Sequence, residues 1–167
     1  KPSPGKRFDI HLAGTHKVIR LAGIDKLALT SEESLDDWRK LGGDARNAGA
    51  SHKAKKIAVI LPHTTLAATI IGAIAEGALL SRYEYTTYKK PKSRNGNDVK
   101  EFLIIGEDLS LRGLQPVISE AEYRAQAVSL TRDLVNCPPN DLQPADLVKA
   151  ARAVANSARS RLSLQVL

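Results

Sequence analysis

Side chains able to do chemistry are few in this chain, and they are scattered. The four histidines, His11, His16, His52 and His63, form no i,i+4 pair and no H-E-x-x-H string. His11 and His16 lie five apart in a segment containing Gly14, which does not fix both imidazoles on one face. Surface or strand-end positions are therefore expected for them, and a metal site is not. Cys137 is the only cysteine and stands between Asn136 and Pro138 with no base beside it, so a nucleophilic thiolate lacks its activating partner. The chain holds no G-x-S-x-G elbow, no Walker loop and no G-x-G-x-x-G fingerprint. The acidic pairs Glu32-Glu33 and Asp36-Asp37 fall in the first turns of a helical pattern, where they complement its dipole. Leu41-Gly42-Gly43-Asp44 lies inside the same pattern, which marks its glycines as packing sites. No catalytic residue, no metal ligand and no cofactor is expected of this chain.

Charge leaves one further candidate. Lys+Arg number 25 against 18 Asp+Glu, a net charge of +7, which permits contact with acidic partners. Lys53-Ala54-Lys55-Lys56 precedes an apolar strand and reads as a solvated edge. Lys89, Lys90, Lys92 and Arg94 share a loop with Asn95, Gly96 and Asn97. A solvated loop is expected there, with polyanion contact through 89–100 as the alternative. Aromatic residues make up 4% of the chain, too few for a single-strand stacking platform.

A chain of 167 residues accommodates one domain and a piece of a second. No run approaches the roughly 18 apolar residues of a membrane span, and Lys1-Pro2-Ser3-Pro4-Gly5 is too polar for a secretory leader. A single cysteine fits a reducing compartment, so a cytoplasmic setting is expected.

Periodicity supplies the elements. Residues 1–16 carry little pattern and read as an irregular lead-in. Val18-Ile19-Arg20-Leu21-Ala22 predicts a buried strand closed by Gly23. Thr30 and Glu33 form a capping box for a helix over 31–49 that faces inward through Leu35, Trp38, Leu41, Ala45 and Ala48. Ile57-Ala58-Val59-Ile60-Leu61 predicts a strand buried on both faces. A helix over 65–82 follows, its small residues Gly72, Ala73, Ala75 and Gly77 expected against the sheet. Phe102-Leu103-Ile104-Ile105 predicts a third buried strand. The next helix, over 114–134, takes Pro116 into its first turn. Asn136-Cys137-Pro138-Pro139-Asn140 breaks it, a helix over 144–159 starts at Pro144, and Leu162–Leu167 alternates like a strand. Three βα units in succession predict an α/β fold with a mainly parallel sheet flanked by helices.

The break belongs to a longer string, Thr131-Arg132-Asp133-Leu134-Val135-Asn136-Cys137-Pro138-Pro139-Asn140-Asp141-Leu142-Gln143-Pro144. It resembles the A-R-D-L-V-N-T-P-P-N-x-L-x-P stretch that joins the two domains of the leucyl (cytosol) aminopeptidases, the M17 family, with Thr131 and Cys137 as departures. Leu21-Ala22-Gly23-Ile24-Asp25-Lys26 is similar to the family's V-G-L-G-D-K turn. Arg39, Gly43-Asp44-Ala45-Arg46, Glu76 through Tyr83, and Tyr88-Lys89 are similar to family counterparts too. The resemblance implies a macro-domain-like, noncatalytic amino-terminal domain over 1–135, whose opening strands do not stand out. It implies a linker, helix and first strand over 136–167 leading to a catalytic domain. Asn136, Pro138, Pro139, Asn140 and Pro144 are its structural linker residues. The family's metal-binding strings, similar to V-G-K-G-I-T-F-D-S-G-G and N-T-D-A-E-G-R-L, are absent from these residues. The two divalent ions (Zn or Mn) and the hydrolysis of amino-terminal peptide bonds are thus implied only for a full-length enzyme, a hexamer by resemblance. The alternatives are a module binding DNA or ADP-ribose through loop 89–100, and a non-enzymatic paralogue.

Overall fold

The computed structural model describes residues 7–11, 18–22, 32–61, 68–89, 99–106, 111–157 and 162–166. Among them the architecture is α/β, with two short two-stranded sheets and four helices. Strand β1 (Arg7–His11) pairs antiparallel with β2 (Val18–Ala22), Phe8 opposite Leu21 and Ile10 opposite Ile19. Strand β3 (Lys56–Ile60) and β4 (Glu101–Ile105) run parallel, Ile57 opposite Phe102 and Val59 opposite Ile104. The parallel sheet is thus β3–β4, and β1–β2 is a separate antiparallel one. Val18–Ala22 is a strand as expected, but it completes a hairpin with a segment expected to be irregular. That segment carries the alternation of a strand, Phe8 and Ile10 between Arg7, Asp9 and His11.

Helix α1 (Glu32–Ser51) and helix α2 (Ala68–Leu80) supply the core. Trp38, Leu61, Ile70, Ala73 and Ile74 are buried together, with Leu35, Leu41, Val59, Phe102 and Ile104 packed against them. The capping residue Thr30 lies outside the described residues. At its other end α1 closes in a Schellman arrangement: the Ala54 amide donates to Gly49 and the Lys53 amide to Ala50, with Lys53 left-handed at φ 55°.

Among the described residues, β3 and β4 are covered on one face only. Ile57, Val59, Phe102 and Ile104 turn toward the helices, whereas Ala58, Ile60, Leu103 and Ile105 are exposed. The expectation of strands buried on both faces is therefore corrected. An uninterrupted apolar run permits double burial but does not supply the second layer.

The glycines of α2 have a different task from the one expected. A Cβ on Gly42 would collide with the backbone carbonyl of Ile74, and one on Gly77 with that of Arg39. Gly72 faces Val117 of helix α3 (Leu111–Asn136). These glycines let the helices approach each other, whereas Ala73 lies in the core against which Val59, Phe102 and Ile104 of the strands pack. Across this contact Arg39 reaches the buried Glu76 at 3.2 Å, and Arg124 of α3 approaches the same carboxylate at 3.7 Å. Partial burial disfavours the Arg39 charge, but Asp36 and Glu76 outweigh it and raise the guanidinium pKa above its ordinary value.

Helix α3 begins earlier than the periodicity indicated, so Pro116 lies inside it and not in its first turn. The carbonyl of Arg112 thereby loses its helical donor. Helix α4 (Pro144–Ser157) contains no buried residue. Leu162–Val166 is exposed and makes no ladder with any described strand; an alternating segment becomes a strand only when a partner completes its hydrogen bonds.

Candidate functional site: the linker and the tyrosines that meet it

The linker is built from backbone chemistry. Helix α3 ends with the Cys137 amide donating to Asp133 at 3.0 Å. Pro138 and Pro139 have no amide proton to extend it. The amides of Asp141 and Leu142 then both donate to the Pro138 carbonyl, at 2.9 and 3.0 Å, folding the segment into a tight turn with Asn140 exposed within it. Pro144 takes the first position of α4, where a missing N–H costs least.

Two residues on, Asp146 accepts the Gln143 amide at 3.1 Å and the Lys149 ammonium at 2.7 Å. Lys149 first, then Gln143, holds its carboxyl below the ordinary carboxylate value. A depressed folded-state pKa contributes stability that is full above the unfolded value of about 3.9 and lost as pH falls through the folded one. The protection of the Gln143 amide against exchange, corrected for the intrinsic rate and followed by NMR, is thus expected to stay flat above pH of about 5 and to fall below about 4. A rate that ignores pH-dependent release down to the acid limit, after correction for intrinsic exchange, would contradict this cap.

The side chains of the string turn toward the segment after α2. The Tyr83 hydroxyl donates to Asp133 at 2.9 Å and accepts from the Asn136 amide at 3.1 Å. Arg132 lies over the Tyr83 ring, 5.3 Å from its centroid, a cation–π contact. Beyond the prolines, the Tyr88 hydroxyl donates to Asp141. The Tyr85 and Tyr88 rings stand 6.0 Å apart, and Lys89 pairs with Glu84 at 2.5 Å. The bond to Asp141 foremost, then partial loss of water, raises the Tyr88 pKa. Loss of water foremost, and Asp133 against the opposing donation of Asn136, raises that of Tyr83. Both phenols therefore remain protonated donors at neutral pH.

Of the five expected linker residues, Asn136 joins this cluster, Pro138, Pro139 and Pro144 shape the chain path, and Asn140 stays at the surface. Of the basic loop, Lys89 is described and engaged by Glu84, while Lys90, Lys92 and Arg94 lie outside the described residues. His52 is exposed in the turn after α1, and His16 and His63 lie outside the described residues. Among the described residues no three His, Cys, Asp or Glu side chains converge on a common metal position, so no divalent ion is placed on them and no step is derived through one. No helix among them is long and apolar enough to cross a membrane. Tyr83 and Tyr88 were legible only as part of segments with a family resemblance. Their phenol groups carry no spacing that points at a linker fifty residues away.

The family model described as the cytosol aminopeptidase family, N-terminal domain, matches residues 4–92. This chain belongs to the cytosol aminopeptidase family. A probable cytosol aminopeptidase of Roseiflexus castenholzii is 33% identical over 144 residues, 82% of this chain and 28% of that protein. One of Streptomyces avermitilis is 34% identical over 137 residues, 80% of this chain and 25% of that protein. These matches are too long to be confined to the region of the family model. A solved mutant of tomato leucine aminopeptidase superimposes with a TM-score of 0.81 at 27% identity, covering 99% of this chain and 32% of its own. The bottromycin maturation enzyme BotP, solved in complex with Mn, shares the fold with a TM-score of 0.68 at 23% identity, over 93% of this chain and 31% of its own. The chain spans between a quarter and a third of the length of these family members.

Proposed function

We propose that this chain is the noncatalytic, orienting portion of a leucyl aminopeptidase whose full-length form removes amino-terminal residues from peptides. In this reading residues 1–135 are the amino-terminal domain. Residues 136–167 are the linker, its helix and the first strand of a catalytic domain. The two divalent ions, Zn or Mn, belong to that following domain, where they would activate the attacking water. Sister subunits of a homo-oligomer, hexameric by family resemblance, and the catalytic domain are its partners, in a cytoplasmic setting.

The observation that carries the reading is the superposition on tomato leucine aminopeptidase, which takes in nearly all of this chain, linker included, and only a third of that enzyme. The linker end supports it physically. Leu147, Ala150, Ala151 and Val154 of α4 face an open apolar groove with Leu130 and Leu134 of α3 and with Leu162 and Leu164. An apolar helix face beside an unpaired alternating segment is half of a strand-and-helix layer, and its remaining strands belong to further polypeptide.

A polypeptide extended from Leu167 through its own reading frame is expected to release the chromophore from a leucine anilide in a Mn-dependent manner. An extended polypeptide that binds Mn and folds but leaves the anilide intact would overturn the assignment.

A further inference from the structure

The string around the twin prolines is met by one short segment on both sides of its break. Before the prolines, Asp133 and Asn136 bond the Tyr83 hydroxyl and Arg132 covers its ring. After them, Asp141 accepts from Tyr88. Residues 83–88 are themselves stiffened by the Tyr85–Tyr88 ring contact, the Lys89–Glu84 ion pair and the Lys89 amide donating to Thr86 at 3.0 Å. They follow directly from α2, the best-buried helix, whose last turn is closed by the Ser81, Arg82 and Tyr83 amides.

We propose that Tyr83 and Tyr88 are positioning residues forming a splint across the proline break, which sets the direction in which α4 leaves the α1–α3 core. Proline fixes φ at 138 and 139, and the Asp141 and Leu142 amides close a turn on the Pro138 carbonyl, but that turn alone leaves its orientation on α3 free to swivel. Packing restrains that freedom only weakly, because α4 has no buried residue and meets Leu130 and Leu134 of α3 along an open groove. Bonds to both ends of the break from one rigid segment do remove it. Both ends of the splint depend on phenol hydroxyls, so phenylalanine preserves the rings and deletes the restraint. The consequence for catalysis rests on the function proposed above, whereas the splint itself is tested on this chain alone.

The test compares the 167-residue chain with Tyr83→Phe, Tyr88→Phe and the double variant. Amide exchange at Asp141 and Leu142 is expected to accelerate about tenfold in the double variant, with Ile74 and Ala78 in α2 unchanged. Spin labels at Ser51→Cys and Ala153→Cys, in a Cys137→Thr background, are expected to give one narrow distance distribution that broadens in the double variant. Unchanged linker exchange with an unchanged distribution would overturn the proposal. So would an acceleration shared equally by α2, which would make the tyrosines ordinary structural groups. Failure of the leucine anilide assay would leave these readouts untouched.

Discussion

Gly77→Ala is expected to destabilise the fold by about 3 kcal/mol, and Gly42→Ala by a similar amount. Alanine is the better helix former by about 1 kcal/mol, so propensity alone predicts the opposite sign. The collision decides it. At both positions the added methyl group meets a backbone carbonyl of the facing helix, of Arg39 and of Ile74, and neither is a side chain able to rotate away. Relief requires α1 and α2 to separate, which loosens Trp38, Ile70 and Ile74 at the same time. It also lengthens the approach of Arg39 to Glu76, now 3.2 Å. Gly113→Ala is the internal control. Nothing lies within 4 Å of its Cβ position, so there the propensity term acts unopposed and a gain of about 0.5 kcal/mol is expected. Urea unfolding of the three variants reads both signs, and a loss at Gly113 equal to that at Gly77 would remove close backbone approach as the cause.

Ile74→Ala is expected to cost about 3–4 kcal/mol, whereas Ile60→Ala changes stability by less than about 0.5 kcal/mol. Both residues belong to apolar runs that look alike in sequence. Ile74 is wholly inaccessible, held between Trp38, Ile70 and Ala73, and truncation leaves a cavity that the close α1–α2 crossing cannot collapse to fill. Ile60 lies on the uncovered face of β3 and is 70% exposed, so its truncation removes little buried surface. Chemical unfolding with an unchanged denaturant slope measures the pair. Similar losses at both positions would mean that a second layer covers the sheet in solution.

The contrast between these isoleucines explains what the sequence could disclose. Helical periodicity identified α1 through Leu35, Trp38 and Leu41, because an amphipathic helix declares which face is inward. The strands β3 and β4 were equally legible as strands, but a continuous apolar run is silent about how many layers cover it. The hairpin partner Arg7–His11 was missed, although its alternation was present, because the surrounding prolines and glycines dominated the pattern. Pro116 was displaced from the first turn to the interior because helix ends are set by local capping, which periodicity resolves poorly.

At the linker the legible part was the covalent one. Asn136, Pro138, Pro139 and Pro144 announce a break and a restart through lost donors and restricted φ. The partners of that break were not legible. Tyr83 and Tyr88 reach Asp133, Asn136 and Asp141 only because α2 and α3 lie side by side, a tertiary fact. The resemblance carried by Arg39, Arg46, Glu76, Tyr83 and Tyr88 acquires a physical content here. Arg39 pairs with Glu76 between helices, Arg46 donates to the Ser81 carbonyl at the end of α2, and the tyrosines reach the linker.

On the function proposed above, this chain orients, and the residues that bind metal and split water belong to a following domain. Equilibrium dialysis of the purified 167-residue protein against Mn and then Zn, with bound metal counted by mass spectrometry, tests that division most directly. The predicted result is no saturable site for either ion. Two tightly held ions per chain would contradict it.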